Sequence, residues 1–306
     1  MNPLFKQKFL TAAAALFLAV TLLWTGCNDE AKSGEDGNSP ADTSQTTPPT
    51  NDPATERSAI LHSVPSPVQM AFYLLNSKAP YNEQLPNPTN NLDKYSNSFS
   101  QAINLGIYQA DLGYLIAHGQ TQQALNYLEN VKTLGDKLGI LNSFEKEMIE
   151  RAEDNLDDRD SLFAITTDAF KDAEIYLNEN ARPEIADVIV IGGWLESTYL
   201  ATQTLKTEGA VPLRRRIGED KLVLPRLLSI INQYSKSEEY TRLAASLKEV
   251  SALYDQVQVK HDYKPAETDK EKRVTRITSS HKIRYSSDLL AQITDKVAEL
   301  RNQYTQ

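Results

Sequence analysis

Four histidines, a single cysteine, one dense arginine run and one tight gathering of carboxylates are the groups in this 306-residue chain with an evident capacity for chemistry. His62, His118, His261 and His281 are scattered, and none keeps a metal-binding spacing with another histidine, the cysteine or a suitably placed carboxylate. No serine sits in a Gly-x-Ser-x-Gly turn, and no glycine loop is built to cradle phosphate. The acids Glu153, Asp154, Asp157, Asp158 and Asp160 lack the alternating ligands and turn glycine of a calcium loop. Asp160 is instead expected to cap the helix that follows, because acids are favourable at helix N-termini. The residues therefore assign no catalytic group, no cofactor and no metal.

Two further constellations suit binding. Ala186 to Leu205 is the most apolar stretch after the leader, and it holds Gly192 and Gly193 at its centre. Each glycine should weaken a helix by about 1 kcal/mol relative to alanine, so something must offset the pair. One reading is close approach of a neighbouring helix to exposed backbone, with Trp194 packed nearby. The other is a ligand groove floored by Gly192 and Gly193, walled by Trp194 and Tyr199, with Glu196 as its polar group. Arg214, Arg215 and Arg216 form the densest basic run. They read as a patch for a phosphate or a carboxylate-rich partner, or as a solvated loop ahead of the next helix.

The cysteine is explained by what precedes it. Lys6 and Lys8 give a positive entry, Phe9 to Trp24 is a 16-residue uncharged and mostly apolar run, and Thr25-Gly26 places small residues before Cys27. This is the layout of a secretory signal, and it is shorter than the roughly 20 apolar residues a bilayer-spanning helix needs. Thr25, Gly26 and Cys27 resemble the lipobox of bacterial lipoproteins, although Trp24 stands where that pattern usually has leucine and Leu23 lies one step early. The resemblance implies a signal peptide over 1–26 and acyl chains on Cys27. Each buried methylene contributes about 0.8 kcal/mol, so two or three chains would make attachment effectively permanent. With Cys27 lipidated, no thiol remains for a disulfide, and packing alone must stabilise the domain.

The formal charge is −9, and removing the two leader lysines makes it −11. So acidic a chain is a poor partner for nucleic acid, since neutralising phosphates needs clustered Lys and Arg. Asn28 to Ser58 contains no Val, Ile, Leu, Met, Phe, Trp or Tyr. Unable to bury apolar surface, it reads as a disordered tether with a span of roughly 30 Å, following lipidated Cys27 to make a segment over 27–58. Asp29-Glu30 and Glu35-Asp36 are similar to surface-export signals of some Gram-negative lipoproteins, which implies an outer-membrane anchor and either a periplasmic or a cell-surface face.

Residues 59–306 read as one helical domain. Ser66-Pro67 predicts a helix start, with Pro at the first helical position. Apolar residues at three- and four-residue spacing predict a helix over about 97–118, stopped by Gly119, and Thr121 is expected to cap the next, which Gly139 ends. Further helices are predicted at 143–155, 160–179, 184–207, 219–234, 237–256 and 288–304. Alternation at Val257, Val259, His261 and Tyr263 predicts a small β-hairpin near 257–285 that must pack on the helices to be stable. The fold class is all-α, an irregular antiparallel helical bundle or a solenoid-like stack of helical hairpins. Gly119, Ala124 and Leu128 match part of a tetratricopeptide repeat, but no second copy follows at the ~34-residue period of that family.

Gly106-Ile107-Tyr108 with Asp111-Leu112-Gly113-Tyr114, and Gly192-Gly193-Trp194-Leu195-Glu196, resemble motifs of an uncharacterised family of lipid-anchored, all-helical bacterial envelope proteins, over about 64–204. That family implies no activity. The expected role is non-catalytic binding or scaffolding, with the membrane as one partner through the acyl chains and an envelope protein or glycan as another. The alternative is a carboxylate-dependent hydrolase of envelope or extracellular polymers, using Glu196 and a second acid. Glycoside hydrolysis would place the two carboxyls about 5 Å or roughly 6.5–9.5 Å apart in one cleft.

Overall fold

A computed structural model describes residues 57, 59–61, 63–140, 150–152, 154–155, 158–205, 211–234, 237–269 and 272–306. The chain divides into Met1–Thr50 and Asn51–Gln306, and every described residue belongs to the second unit. The leader, Cys27 and the tether before Arg57 lie outside the described residues, as do His62, Glu153, Asp157 and most of the helix expected at 143–155.

Eight long helices follow in order among the described residues: α1 (Pro67–Ser77), α2 (Ser98–Ala117), α3 (Thr121–Leu138), α4 (Arg159–Glu179), α5 (Pro183–Leu205), α6 (Val211–Ile231), α7 (Glu238–Tyr254) and α8 (Ser287–Thr305). Their ends follow local chemistry. Ser66 caps α1 in a reciprocal box with Gln69, and Pro67 occupies the first turn, where a missing N–H costs nothing. Asn97 and Ser100 make the same box for α2. Gly119 and Gly139 take left-handed φ values of 66° and 68°, which end α2 and α3 without a Cβ clash.

Three boundaries differ from expectation. Gln120, not Thr121, is the N-cap residue of α3. Asp158, not Asp160, caps α4: its Oδ1 accepts from the backbone N–H of Asp160 at 3.0 Å and of Ser161 at 3.2 Å. Asp160 sits too far inside the helix to reach those donors. The third is α6, which begins at Val211 and so takes Arg214, Arg215 and Arg216 into a helix instead of a loop.

The centre of the domain is the pair α2 and α5, which pack more extensively than any other two elements. Both are buried nearly all round, so their sequences are apolar without a polar stripe. The close crossing is made by glycines on both helices. An ideal Cβ on Gly106 would stand 2.0 Å from the Ile189 carbonyl oxygen, and one on Gly192 would stand 2.1 Å from that of Ile103. Helices α1 and α3 pack on α2, while α6 and α8 pack on α5; α7 lies against α6 and α8, and α4 bridges α2 and α5. The central pair joins helices remote in sequence, so the arrangement is a bundle and not a stack in which each unit touches only its neighbours.

Between α7 and α8 the chain forms a β-arm. β1 (Gln258–Asp262) pairs antiparallel with β4 (Ser280–Arg284), and β2 (Glu267–Asp269) with β3 (Val274–Arg276). The expected hairpin is therefore two ladders in series, placing His261 opposite His281.

Candidate functional site

Glu196 is on α5, four residues beyond Gly192, and is fully buried. Arg301 of α8 meets it with a fork of two bonds, Nε to Oε2 at 2.9 Å and Nη2 to Oε1 at 3.1 Å. The same guanidinium donates to the Leu85 carbonyl at 3.2 Å and lies over the Tyr199 ring at 4.6 Å. Such a planar fork suits arginine and would not survive replacement by lysine.

A second carboxyl completes the group. Asp111 of α2 is also fully buried, accepts the Asn87 backbone N–H at 3.0 Å, and lies within hydrogen-bonding reach of Glu196. Burial first, and then the charge of Glu196, push the Asp111 pKa well above its ordinary value, against the opposing pull of Arg301. Among the described residues, no group donates a hydrogen bond to its Oδ1. A proton held there would let Asp111 donate to Glu196, so that one arginine and one shared proton satisfy two acids. Paired acids facing one another are what a carboxylate hydrolase needs, yet this pair is sealed inside the bundle beyond reach of a polymer.

The groove expected around Gly192 and Gly193 is divided between two surfaces. Gly192 faces the Ile103 backbone, and Trp194 and Glu196 are core residues. Tyr199 is half-buried against Arg301. Helix α2 occupies the space that a ligand would have needed, so the five residues do not line one groove.

Gly193 alone among them borders an open cavity, a cleft of about 310 Å³ that runs beneath α4 between α1, α2, α3 and α5. Its walls are mainly aliphatic, including Leu105, Leu112, Leu128, Val131, Ile140, Leu177 and Ile189. Ser66, Gln69, Gln109, Thr166, Thr167, Lys171 and Glu174 add polar groups, and among the described residues the lining holds one carboxylate and no histidine. Cavities of this size between helices are common small-molecule sites. Sequence reasoning missed it because its residues come from five helices, each contributing what looks like ordinary core.

The arginine run is also divided. Arg214 donates to the Tyr285 carbonyl at 2.8 Å and stacks over its ring, Arg215 pairs with Glu219 at 3.0 Å, and buried Arg216 pairs with buried Asp220 at 2.8 Å. Helical spacing turns the three side chains in different directions, so no anion patch forms. Thr198 of α5 donates to Asp220 at 3.2 Å, tying α5 to α6.

Arg57, at the end of the polar segment, is held firmly. It bonds Asp187 at 2.5 and 3.0 Å, Asn178 at 2.7 Å and the Pro183 carbonyl at 2.9 Å, while Tyr234 also donates to Asp187 at 2.5 Å. Burial is the main cause raising Asp187, and the bonds from Arg57 and Tyr234 oppose it.

The three described histidines sit in local contacts. His118 stands against the Tyr81 and Tyr114 rings, and burial lowers its pKa. His281 contacts Glu219 at 3.0 Å, and its ring lies 6.2 Å from that of His261. Among the described residues, no three His, Cys, Asp or Glu side chains gather to hold a metal, and no helix is long and apolar enough to cross a membrane.

Comparison of the chain with family models, curated proteins and solved structures returns no match.

Proposed function

We propose that this chain is a lipid-anchored protein of the bacterial envelope with a non-catalytic binding role, and that its domain receives an aliphatic chain in the cleft beneath α4. The cleft carries the proposal. It offers about 310 Å³ bounded mainly by leucine, isoleucine and valine, with polar groups contributed by α1, α2 and α4. Burying a linear alkyl chain there gains roughly 0.8 kcal/mol per methylene, whereas a sugar would leave hydroxyls without partners. The basic and apolar leader ending at Cys27 supports the anchor, and the polar segment up to Arg57 supports a tether. A protein so held would present or receive apolar chains close to the membrane that contains them.

The test fills the cleft. Ala169 and Ala173, one turn apart on α4, both line it and are half-buried. In the Ala169→Phe, Ala173→Phe double variant, binding of the fluorescent fatty acid cis-parinaric acid should weaken at least tenfold, with an unchanged melting temperature. Binding that persists with the cleft filled would remove this reading. Release of product from a p-nitrophenyl acyl ester, lost in the same variant, would favour a hydrolytic role.

A further inference from the structure

The β-arm differs from the rest of the molecule in both charge and exposure. Residues 258–284 carry eight Lys or Arg against four Asp or Glu, a net +4, while the chain as a whole is −9 and the remainder is therefore −13. The three most exposed large apolar side chains among the described residues are also there: Tyr263 at 81%, Ile277 at 78% and Val274 at 51%. A monomer has no use for that combination in its own core.

The base of the arm is clamped. Ile283 and Tyr285 press on Gly218 of α6 so closely that an ideal Cβ there would lie 2.4 Å from the isoleucine and 2.8 Å from the tyrosine. Tyr285 donates to the Arg214 carbonyl at 2.5 Å, and Lys221 donates to the Val257 carbonyl at 2.5 Å. Val259, His281 and Ile283 form the partly buried face on the bundle. Beyond it the alternation that buries Val259 brings Tyr263 to the same face, with no helix beneath. The outer part is a ribbon carried on this clamped base, with its apolar side chains interleaved with Lys264, Lys272, Arg273 and Arg276.

We propose that this outer part of the arm is a contact surface for an anionic lipid bilayer. Tyrosine and branched aliphatic side chains enter the headgroup boundary, and the neighbouring Lys and Arg meet the negative lipids. Charge narrows the occupant: a second arm would bring +4 against +4, and neutral lipid would leave the basic residues without a partner. Exposed apolar side chains interleaved with the basic ones suit a headgroup boundary better than the polar, acidic body of a second copy. The inference goes beyond the cleft and does not depend on it.

The experiment uses the full chain carrying Cys27→Ser, so that no acyl chain is attached, and measures co-flotation with vesicles. Vesicles of phosphatidylglycerol in phosphatidylcholine are compared with phosphatidylcholine alone. The chain should partition at least tenfold better onto the anionic vesicles, and added salt should reduce that preference. Changing Lys264, Arg273 and Arg276 together to Glu should abolish the preference. Tyr263→Ser with Ile277→Ser should weaken binding to anionic vesicles several-fold. All five residues are exposed, so unchanged helical circular dichroism shows that the bundle is intact. Equal partition onto both vesicle types, or a preference that survives the charge reversal, overturns the proposal. So does arm-dependent self-association in the absence of lipid, which would assign the arm to the acidic body of a second copy.

Discussion

Gly192 and Gly193 are adjacent in sequence and stand on two different surfaces of α5. At Gly192 the α2 backbone comes so near that an added Cβ would meet the Ile103 carbonyl at 2.1 Å. At Gly193 the nearest atom is Pro67 Cγ at 3.1 Å, the far side of a ring at the rim of the cleft. The first surface is closed by backbone and holds the sealed Asp111–Glu196–Arg301 group nearby. The second is open, aliphatic and capable of taking a guest. The same dipeptide thus serves packing on one side and borders a cavity on the other. A turn of about 100° around a helix is enough to separate those roles.

The contrast can be broken most severely at Arg301. In Arg301→Ala, Glu196 loses the ionic partner it has among the described residues while remaining buried beside Asp111, so the domain should lose about 3–5 kcal/mol in urea unfolding. A loss below about 1 kcal/mol, typical of an exposed pair, would mean that the group is solvated after all.

The two glycines provide the direct comparison. Gly192→Ala forces apart two backbones and should cost about 1–3 kcal/mol. Gly193→Ala needs only a small shift of the Pro67 ring and gains up to about 1 kcal/mol of helix propensity, so its melting temperature should stay near that of the parent. Equal losses at the two positions would refute the division of the surfaces.

Asp111→Asn sharpens the same contrast through pH. The folded-state pKa of Asp111 is raised by burial and by Glu196 above the ordinary 3.8. Its relative contribution to stability is therefore fully present below about pH 4 and is lost as pH rises toward the folded value. Asparagine does not titrate and can still donate to Glu196. The stability of the parent relative to the variant should fall as pH rises above about 4, then level off. A relative stability that climbs over that range would contradict a raised Asp111.

Much of the framework is visible in residue order because its causes are local. Ser66-Pro67 announces α1, Gly119 and Gly139 end α2 and α3, and alternation from Val257 to Tyr263 announces the arm. Errors arose where two local signals competed. Asp158 and Asp160 are both good caps, and only the course of the backbone decides which carboxylate reaches the free N–H groups. The run Arg214-Arg215-Arg216 looks like a loop patch, but it is drawn into α6 by partners at helical spacing, Glu219 and Asp220.

Residue order by itself determined the all-helical class, most helix ends, the charge contrast between arm and body, and the requirement that Gly192 and Gly193 be compensated. These depend on neighbours within a few positions, where backbone geometry is set by side-chain type. Only the tertiary structure decided that Glu196 faces Arg301 across 105 positions, that Asp111 joins them, and that five helices leave a cleft beneath α4. Helical periodicity specifies which face of a helix is buried, not which other helix buries it. The partner of a buried charge and the gaps between helices are set only when whole elements meet.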